Sequence, residues 1–222
     1  IITIGVKEDA KPFGFREKSG ELQGFDIDLA KYIARALLYD EKKIKFVPVT
    51  PESRIRILNS KEVDIIIATM SITPNRSMIV DFSMPYYISG QAVLVPNKSD
   101  IKSLSDLKNK KIIIVFGSTT ESNLKLMLPE AKIVGYKTYT DAMRALKLGS
   151  ADAMIADDAI LLGLAADNPN FRILPKRYTK EPYAVAFRKD ESSKILINKI
   201  NSVIDDMRNS GELDKIRRKW VK

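Results

Sequence analysis

Cysteine and histidine are both absent from this chain of 222 residues. Without cysteine the protein has no disulfides, no thiolate nucleophile and no zinc site of the cysteine type. Without histidine it lacks the commonest general base and the commonest metal ligand, so any catalysis would depend on Asp, Glu, Lys or Tyr. These two absences make an enzyme less expected, and no metal site is predicted.

Long apolar runs and blocks of basic charge are missing as well. The longest obvious apolar run, at 112–116, is far shorter than the roughly 20 residues that a membrane span needs. The net charge is +9, but Lys and Arg are spread along the chain and no aromatic-rich RNA-binding motif accompanies them. We therefore expect a basic solvated surface and no nucleic-acid partner.

What is present is an alternation of strand-like and helix-like segments, which predicts an α/β fold with mainly parallel sheets. A turn at 18–20 between two short extended runs predicts a hairpin. The predicted strands are 1–6, 43–49, 64–68, 111–116, 132–136 and 153–156. The predicted helices are 53–59, one that starts at Pro74, 120–128, 140–148, 158–166 and 192–210, the last of which stops at Gly211.

A further predicted helix carries the most informative stretch of the chain, GFDIDLAKYIARAL at 24–37. It consists of a turn glycine, an acidic first turn with Asp26 and Asp28, and apolar residues at helical spacing. A second stretch, GELDKIRRKW at 211–220, reads as a closing helix. Together the two stretches resemble the polar amino acid-binding proteins, which are the solute receptors of ABC importers.

This resemblance extends from Ile4 to Trp220 and implies the type II periplasmic-binding-protein fold, in which two Rossmann-like α/β lobes are joined by a two-strand hinge. It implies that the chain crosses between the lobes near 86–91 and near 181–186. The implied division is lobe one at 1–88 with 185–222 and lobe two at 89–184. It also implies a monomer without a cofactor that works outside the cytoplasm, in the periplasm or anchored at the cell surface. Such a receptor closes its lobes around an amino acid and delivers it to the membrane subunits of an ABC importer.

An amino acid ligand carries an α-carboxylate and an α-ammonium, and each charge needs a partner once it leaves water. The resemblance places the α-carboxylate on Arg76, which follows the run TMSITPN at 69–75. A guanidinium can hold a carboxylate with two parallel hydrogen bonds. Ser71 and the free N–H groups of the helix start add donors, and Thr69 belongs to the same ligand-binding run. Spacing alone favours a surface arginine at this position, and the family match reverses that preference.

The resemblance places the α-ammonium on Asp157, at the end of the stretch DAMIAD, where a buried strand leads into a helix. From the residues alone either Asp157 or Asp158 could cap that helix, and the spacing favours Asp157 as the ligand and Asp158 as the cap. The loop FGSTTE at 116–121 resembles the family's Gly-Thr-Thr loop, with its glycine one place earlier. Thr119 and Thr120 would offer donors to an anion there, or would only cap the helix.

Lys7, at the end of the first predicted strand, discriminates most among ligands. Counted back from PF at 12–13, it aligns with a position that is often basic in glutamate/aspartate receptors and often acidic in receptors for basic amino acids and for glutamine. A lysine in the cleft would complement an anionic side chain; the alternative is a solvated lysine. Ala10 and Pro51 replace aromatic residues that usually stack on flat side chains. Arg54 resembles an arginine that recurs in acidic amino acid receptors, either in contact with the ligand or behind the residues that are.

The sequence therefore predicts a receptor for an acidic amino acid, glutamate before aspartate. Within the same family, a glutamine or arginine receptor remains an alternative. A catalytic relative is a second alternative, because a few members of this fold are cyclohexadienyl dehydratases. The ligand-binding domain of a glutamate-gated channel or of a sensor kinase, which shares the fold, is a third.

Overall fold

The computed structural model describes residues 1–38 and 40–222, and most of its strands belong to two sheets of five strands each. The strands are, in chain order, β1 (Ile2–Val6), β2 (Asp9–Ala10), β3 (Gly14–Arg16), β4 (Leu22–Gln23), β5 (Ile44–Pro48), β6 (Ile65–Ile66), β7 (Val80–Phe82), β8 (Tyr87–Ser89), β9 (Gln91–Pro96), β10 (Lys111–Val115), β11 (Lys132–Tyr136), β12 (Ala153–Asp157), β13 (Phe171–Ile173), β14 (Glu181–Tyr183) and β15 (Ala186–Arg188). The helices are α1 (Phe25–Leu38), α2 (Arg54–Asn59), α3 (Pro74–Ser77), α4 (Thr120–Met127), α5 (Tyr139–Lys147), α6 (Asp158–Asp167), α7 (Ser193–Ser210) and α8 (Glu212–Trp220).

The first sheet has the strand order β5-β1-β6-β15-β7 and the second the order β11-β10-β12-β9-β13. We call each sheet with its helices a lobe. In both sheets three neighbouring strands are parallel, whereas β15 and β9 pair antiparallel with their neighbours. Parallel neighbours need a helical crossover, but the chain enters β9 and β15 directly from short strands between the lobes. The predicted α/β architecture in two lobes is confirmed, with one antiparallel strand in each sheet.

Apolar side chains on both faces of each sheet form the cores. The central strand β10 of the second sheet shows this well, because Ile113 and Val115 belong to one buried cluster while Ile112 and Ile114 belong to another. Such a strand, covered by helices on both faces, has a continuous apolar sequence instead of an alternating one. Burial of each of these side chains stabilises the fold by about 1.5–3 kcal/mol. In lobe one, α1 buries the face that contains Leu29 and packs against β1.

The predicted helices and the hairpin at 13–23 are present, with ends that move by a few residues at most. The predicted strand at 64–68 is shorter than expected, because only Ile65–Ile66 pairs in the ladder and the chain then turns towards Thr69, which has φ 48°. Seven further strands, β2, β7–β9 and β13–β15, are not among the predicted strands. All but β9 are only two or three residues long, too short for a period-two pattern.

Two of these strands connect the lobes, at the crossings that the family resemblance implies near 86–91 and 181–186. β8 and β14 pair antiparallel, with Ser89 opposite Glu181 and Tyr87 opposite Tyr183. β8 leads into β9 of the second sheet, and β14 leads into β15 of the first sheet. We propose the predicted lobe limits, of which the first, after residue 88, lies within β8 and the second, after residue 184, lies just beyond β14.

The two stretches that carry the family resemblance contact each other. Asp28 in the first turn of α1 accepts hydrogen bonds of 2.8 Å from Lys219 Nζ and from Trp220 Nε1 of α8. The Trp220 ring also packs edge-on against Phe15 of β3, with 5.8 Å between ring centroids. The closing helix is thus fixed to the first helix of the same lobe. Among the described residues, no helix combines the length and the apolar character needed to cross a membrane.

Candidate functional site

The eight predicted site residues come from both lobes and lie where the sheets face each other. Ligands of open α/β sheets bind outside the carboxyl ends of the strands. Seven of these residues lie in the loops or first helical turns that follow strands, and Asp157 is the last residue of β12. Six of the eight side chains are buried, and Arg76 and Thr119 are partly exposed. The buried ones are Lys7, Arg54, Thr69, Ser71, Thr120 and Asp157.

Lys7 points into the protein and not into solvent. It is 0% exposed, and its Nζ lies 4.5 Å from the ring centroid of Tyr139 in the other lobe. Nζ has no hydrogen-bond partner among the described residues. Burial lowers the Lys7 pKa to about 7, and the positive charge of Arg54 acts in the same direction. The predicted placement of Lys7 between the lobes, rather than as a solvated lysine, is what the structure has.

Arg54, at the start of α2, is a second buried cation with an unused donor. It is 3% exposed, and its Nη1 donates a hydrogen bond of 2.7 Å to the carbonyl oxygen of Ala68. Its Nε has no partner in the part of the chain that the structure describes. Burial lowers the Arg54 pKa to about 9, with the charge of Arg76 as the next cause. An ammonium and a guanidinium are thus buried near each other, and each has a donor atom without a hydrogen-bond partner among the described residues.

Asp26 of the signature stretch has a role that the sequence did not predict. The first-turn carboxylate is fully buried and accepts hydrogen bonds from the Thr69 backbone N–H at 2.9 Å and from the Tyr86 hydroxyl at 2.7 Å. Burial raises its pKa to about 6, and the two hydrogen bonds oppose that rise. Asp26 therefore holds Thr69 in its positive-φ conformation and ties it to Tyr86, next to β8.

Arg76 lies in the first turn of α3, as the sequence predicts. Thr73 caps this helix by accepting from the Arg76 backbone N–H at 3.1 Å, and Pro74 opens it. The guanidinium donates 2.8 Å hydrogen bonds to the carbonyl oxygens of Ser71 and, across the lobes, Gly117. These bonds use two of the five N–H donors of an arginine. Burial lowers the Arg76 pKa, and the negative charges of Asp157 and Glu181 oppose that change.

Asp157 is the last residue of β12 and contacts β14, one of the two strands that connect the lobes. Its Oδ2 accepts a hydrogen bond of 2.5 Å from the Tyr183 hydroxyl, and its Oδ1 lies 3.4 Å from Nε2 of Gln91. Burial raises the Asp157 pKa, against these two hydrogen bonds and the positive charges of Lys7 and Arg54. The carboxylate is thus held in place by protein donors and lies among cations.

The prediction that Asp158 caps α6 is wrong. Asp158 is the first residue of the helix, and its side chain accepts from the Ser89 hydroxyl at 2.6 Å and from Gly90 N–H at 3.3 Å. It also forms an ion pair of 2.8 Å with Arg177. Asp157 occupies the cap position but makes no capping hydrogen bond with its side chain. Asp158 instead ties α6 to the hinge.

The Thr-Thr loop forms as predicted between β10 and α4. Gly117 has φ +81°, a conformation that glycine adopts without strain, so its position one place early is accommodated. Thr119 donates to Glu181 and accepts from Gln91, and Thr120 also accepts from Gln91. Gln91 and Glu181 are functional candidates that the sequence analysis missed.

Direct contacts hold the two lobes together around this site. Asp9 Oδ2 accepts from the Tyr139 backbone N–H at 2.8 Å, at the start of α5 in the other lobe. Lys11 Nζ forms an ion pair of 3.1 Å with Asp167 at the end of α6. Together with the Arg76 bond to Gly117, these contacts describe a closed arrangement of the lobes.

Gly163 of α6 gives a test of how closely the lobes must approach. A Cβ placed on Gly163 would lie 1.9 Å from the carbonyl oxygen of Lys11, so no side chain fits in the closed arrangement. We expect Gly163→Leu to weaken amino acid binding by about tenfold or more, because overpacking of a tight contact costs about 1–3 kcal/mol. Calorimetric titration measures this, with Ala166→Leu, an exposed position of the same helix, as the control. Wild-type affinity in Gly163→Leu would mean that binding does not need this approach.

The comparisons with known proteins agree on the class of protein. The family model described as bacterial extracellular solute-binding proteins, family 3, matches residues 2–222. A glutamine-binding protein of an ABC transporter from Bacillus subtilis is 43% identical over 223 residues, which cover 100% of this chain and 81% of that protein. A glutamine-binding protein from Geobacillus stearothermophilus is 41% identical over 191 residues, which cover 85% and 73%.

Solved structures give the same result. An ancestral arginine-binding protein bound to arginine matches with a TM-score of 0.92 and 38% identity, over 100% of this chain and 98% of that one. An ancestral arginine-binding protein bound to glutamine matches with a TM-score of 0.92 and 39% identity, over 99% of this chain and 97% of that one. The predicted fold and family are confirmed, whereas the glutamate/aspartate subgroup stays a prediction. This chain belongs to family 3 of the bacterial extracellular solute-binding proteins.

Proposed function

We propose that this protein is the receptor of an amino acid ABC importer and that it captures an acidic amino acid, glutamate before aspartate, by closure of its lobes. The observation that supports a preference for acidic ligands is the burial of two basic side chains, Lys7 and Arg54. Each has a donor with no hydrogen-bond partner among the described residues, and the pKa of each is lowered. A ligand that brings negative charge to this region would give both donors an acceptor and would oppose both decreases in pKa.

The chemistry of the two side-chain ends separates glutamate from glutamine. A carboxylate accepts hydrogen bonds at both oxygens and donates none, whereas an amide accepts at one atom and donates at the other. Facing Lys7 and Arg54, the amide NH2 would meet donors, and only a carboxylate would neutralise charge. An arginine side chain would add a further cation and is disfavoured for the same reason.

The remaining predicted residues suit the part common to all amino acids. Arg76 has N–H donors left for an α-carboxylate, with Ser71, Thr69 and the Thr-Thr loop close by in sequence or space. Asp157 would receive the α-ammonium. The family supports a site of action outside the cytoplasm, and we extend this to the periplasm or the cell surface, with the importer's membrane subunits as partners. We propose a monomer that binds no nucleic acid and catalyses no reaction.

Glutamine is the second candidate, because both relatives described above are named as glutamine-binding. Thermal unfolding in the presence of each common L-amino acid separates the candidates, because a ligand that binds only the folded state raises the melting temperature. We expect the largest rise with glutamate and a smaller one with aspartate. A largest rise with glutamine or arginine would contradict the acidic specificity. Turnover of prephenate or arogenate would contradict the absence of catalysis.

The pKa of Lys7 predicts how pH affects the choice between glutamate and glutamine. With glutamine, closure buries an ammonium whose neighbouring carboxylates, Asp9, Asp157 and Asp26, do not offset the cost of burial, so the Lys7 pKa falls from 10.5 towards about 7 and binding is coupled to proton loss. Glutamine should therefore bind more weakly as the pH falls through this range, by up to about tenfold per pH unit. A glutamate γ-carboxylate keeps the proton on Lys7, so its affinity should change little.

Calorimetric titrations with both ligands at about pH 7, 8 and 9 measure this effect. The preference for glutamate should increase towards the lower pH values, and Lys7→Met should lose the dependence. A ratio of affinities that stays constant with pH in the wild-type protein would contradict the assignment.

A further inference from the structure

One buried amide connects the lobe-two residues that we propose to bind the ligand. Gln91, the first residue of β9, is 0% exposed. Its Nε2 lies 2.8 Å from Thr119 Oγ1, 3.1 Å from Thr120 Oγ1 and 3.4 Å from Asp157 Oδ1. Its Oε1 accepts a hydrogen bond of 2.9 Å from Nδ2 of Asn123. Both polar atoms of the amide are therefore engaged within the site.

Two carboxyl groups determine which way this amide faces. Asn123 Nδ2 lies 3.4 Å from Glu181 Oε1, and an ionised carboxylate only accepts hydrogen bonds. The NH2 group of Asn123 therefore faces Glu181 and Gln91 Oε1. This in turn directs the NH2 group of Gln91 towards the two threonines, to which its two N–H groups donate, with Asp157 Oδ1 farther away on the same side. The row of side chains Asp157, Gln91, Asn123 and Glu181 is satisfied in this one orientation.

The same row of side chains determines whether each of the two threonine hydroxyls can donate a hydrogen bond to a ligand or only accept one. Thr119 Oγ1 donates its single proton to Glu181 and accepts from Gln91, so it can offer a ligand only an acceptor. Thr120 Oγ1 accepts from Gln91, and its proton is not used in a hydrogen bond to the residues described. The Thr119 hydroxyl can therefore accept from an ammonium, and the Thr120 hydroxyl can donate to an anion.

We propose that Gln91 is a positioning residue of the ligand site. Held by Asn123, it presents Thr119 as an acceptor for the α-ammonium beside Asp157 and Thr120 as a donor for the α-carboxylate. This inference rests on the proposed amino acid site but not on the acidic side chain of the ligand. In this inference the side-chain amide of Gln91 supports recognition of the α-ammonium and α-carboxylate groups, which all amino acids share.

Charged and titratable groups surround Gln91 on several elements, and they make a pH test possible. Burial raises the pKa of both Asp157 and Glu181, and the charge of Asp157 adds to the effect on Glu181. Positive charges on Lys7, Arg54 and Arg76 oppose these changes. The Tyr183 hydroxyl donates to Asp157 from the other side. A third carboxyl group in this row would be repelled by its neighbours and would hold its proton to a higher pH than usual.

The variant Gln91→Glu uses this property. A protonated glutamic acid has nearly the size of glutamine and still offers one donor and one acceptor, whereas the ionised form offers acceptors only. With the amino acid that the wild type binds most tightly, we expect a loss of about tenfold or more at about pH 8 and a recovery at about pH 5.5. Gln91→Leu should be weak at both pH values. Gln23→Glu, the same change at the other glutamine of the chain, should follow the wild type.

Two further variants test the polarity at Thr119 without changing Gln91. Thr119→Val keeps the shape and removes the acceptor, so it should lose affinity about as much as Gln91→Leu does. Thr119→Ser keeps the hydroxyl and should recover most of the affinity that Thr119→Val loses. These two decide the inference if Gln91→Leu does not fold, which thermal unfolding of the ligand-free variants reveals.

The inference would be overturned by wild-type affinity in Gln91→Leu or Thr119→Val. It would also be overturned by a loss in Gln91→Glu that is equal at both pH values, because a packing defect does not titrate. A wild-type preference for arginine is a different outcome. It would end the proposal of an acidic ligand, while the Gln91 variants, titrated with arginine, would still decide the role of the amide.

Discussion

Replacement of Arg76 by alanine should weaken glutamate binding by roughly a hundredfold to a few thousandfold. The reason is that the ligand α-carboxylate would be buried without its charged, bidentate partner, a loss of about 3–5 kcal/mol. The Arg76→Ala variant would also lose the hydrogen bond from lobe one to the Gly117 carbonyl oxygen, which contributes to the closed arrangement. Calorimetric titration with L-glutamate measures the combined effect.

Two further variants test whether the loss is specific to the Arg76 guanidinium. Arg76→Lys keeps the charge but not the planar fork, so it should recover only part of the affinity. Arg56→Ala removes an exposed arginine of α2 and should leave binding unchanged. Near-wild-type binding by Arg76→Ala would mean that the α-carboxylate lies elsewhere. Asp157→Asn should also weaken binding, because the ligand α-ammonium would be buried without its negatively charged partner.

The second large effect is expected at Lys7, which we propose to set the sign of the preferred side chain. Lys7→Met should reduce glutamate affinity far more than glutamine affinity, because only glutamate loses an ion pair in a site of low effective dielectric. Lys7→Asp should abolish glutamate binding, since it places two carboxylates against each other. Titration of both variants with glutamate, glutamine and arginine shows the pattern.

Lys45→Met is the matched control, because Lys45 is exposed on β5, the strand beside β1. It should have wild-type affinities for all three ligands. A Lys7→Met variant that weakens all three ligands equally would reduce Lys7 to a packing role. The acidic specificity would then lose its main support.

The sequence was most informative where a function resides in a continuous stretch. The two signature stretches identified the family, and the resemblance pointed to Arg76, the Thr-Thr loop and Asp157. The spacing of these residues left other interpretations open, although all of them lie near the carboxyl ends of strands, where ligands of such folds bind. The buried state of Lys7 was an alternative that only the packing of Tyr139 from the other lobe could decide.

The residues that were missed act over long distances in the chain. Glu181 contacts Thr119, which is 62 positions away, and Asp26 contacts the backbone of Thr69, 43 positions away. No spacing rule covers such pairs, and each residue has an ordinary local interpretation. Asp26 stands in a helix first turn, where an acid is expected in any case. The prediction for Asp158 was wrong for a related reason, because its partners Ser89 and Arg177 come from the hinge region and from the chain beyond α6.

The central claim is that the buried cations Lys7 and Arg54 select an acidic amino acid. Side-by-side calorimetric titration of the wild-type protein with L-glutamate and L-glutamine at about pH 7 tests it most directly. We predict that glutamate binds at least about tenfold more tightly, as expected for one partly buried ion pair. Glutamine binding that is as tight as glutamate binding, or tighter, would contradict the claim.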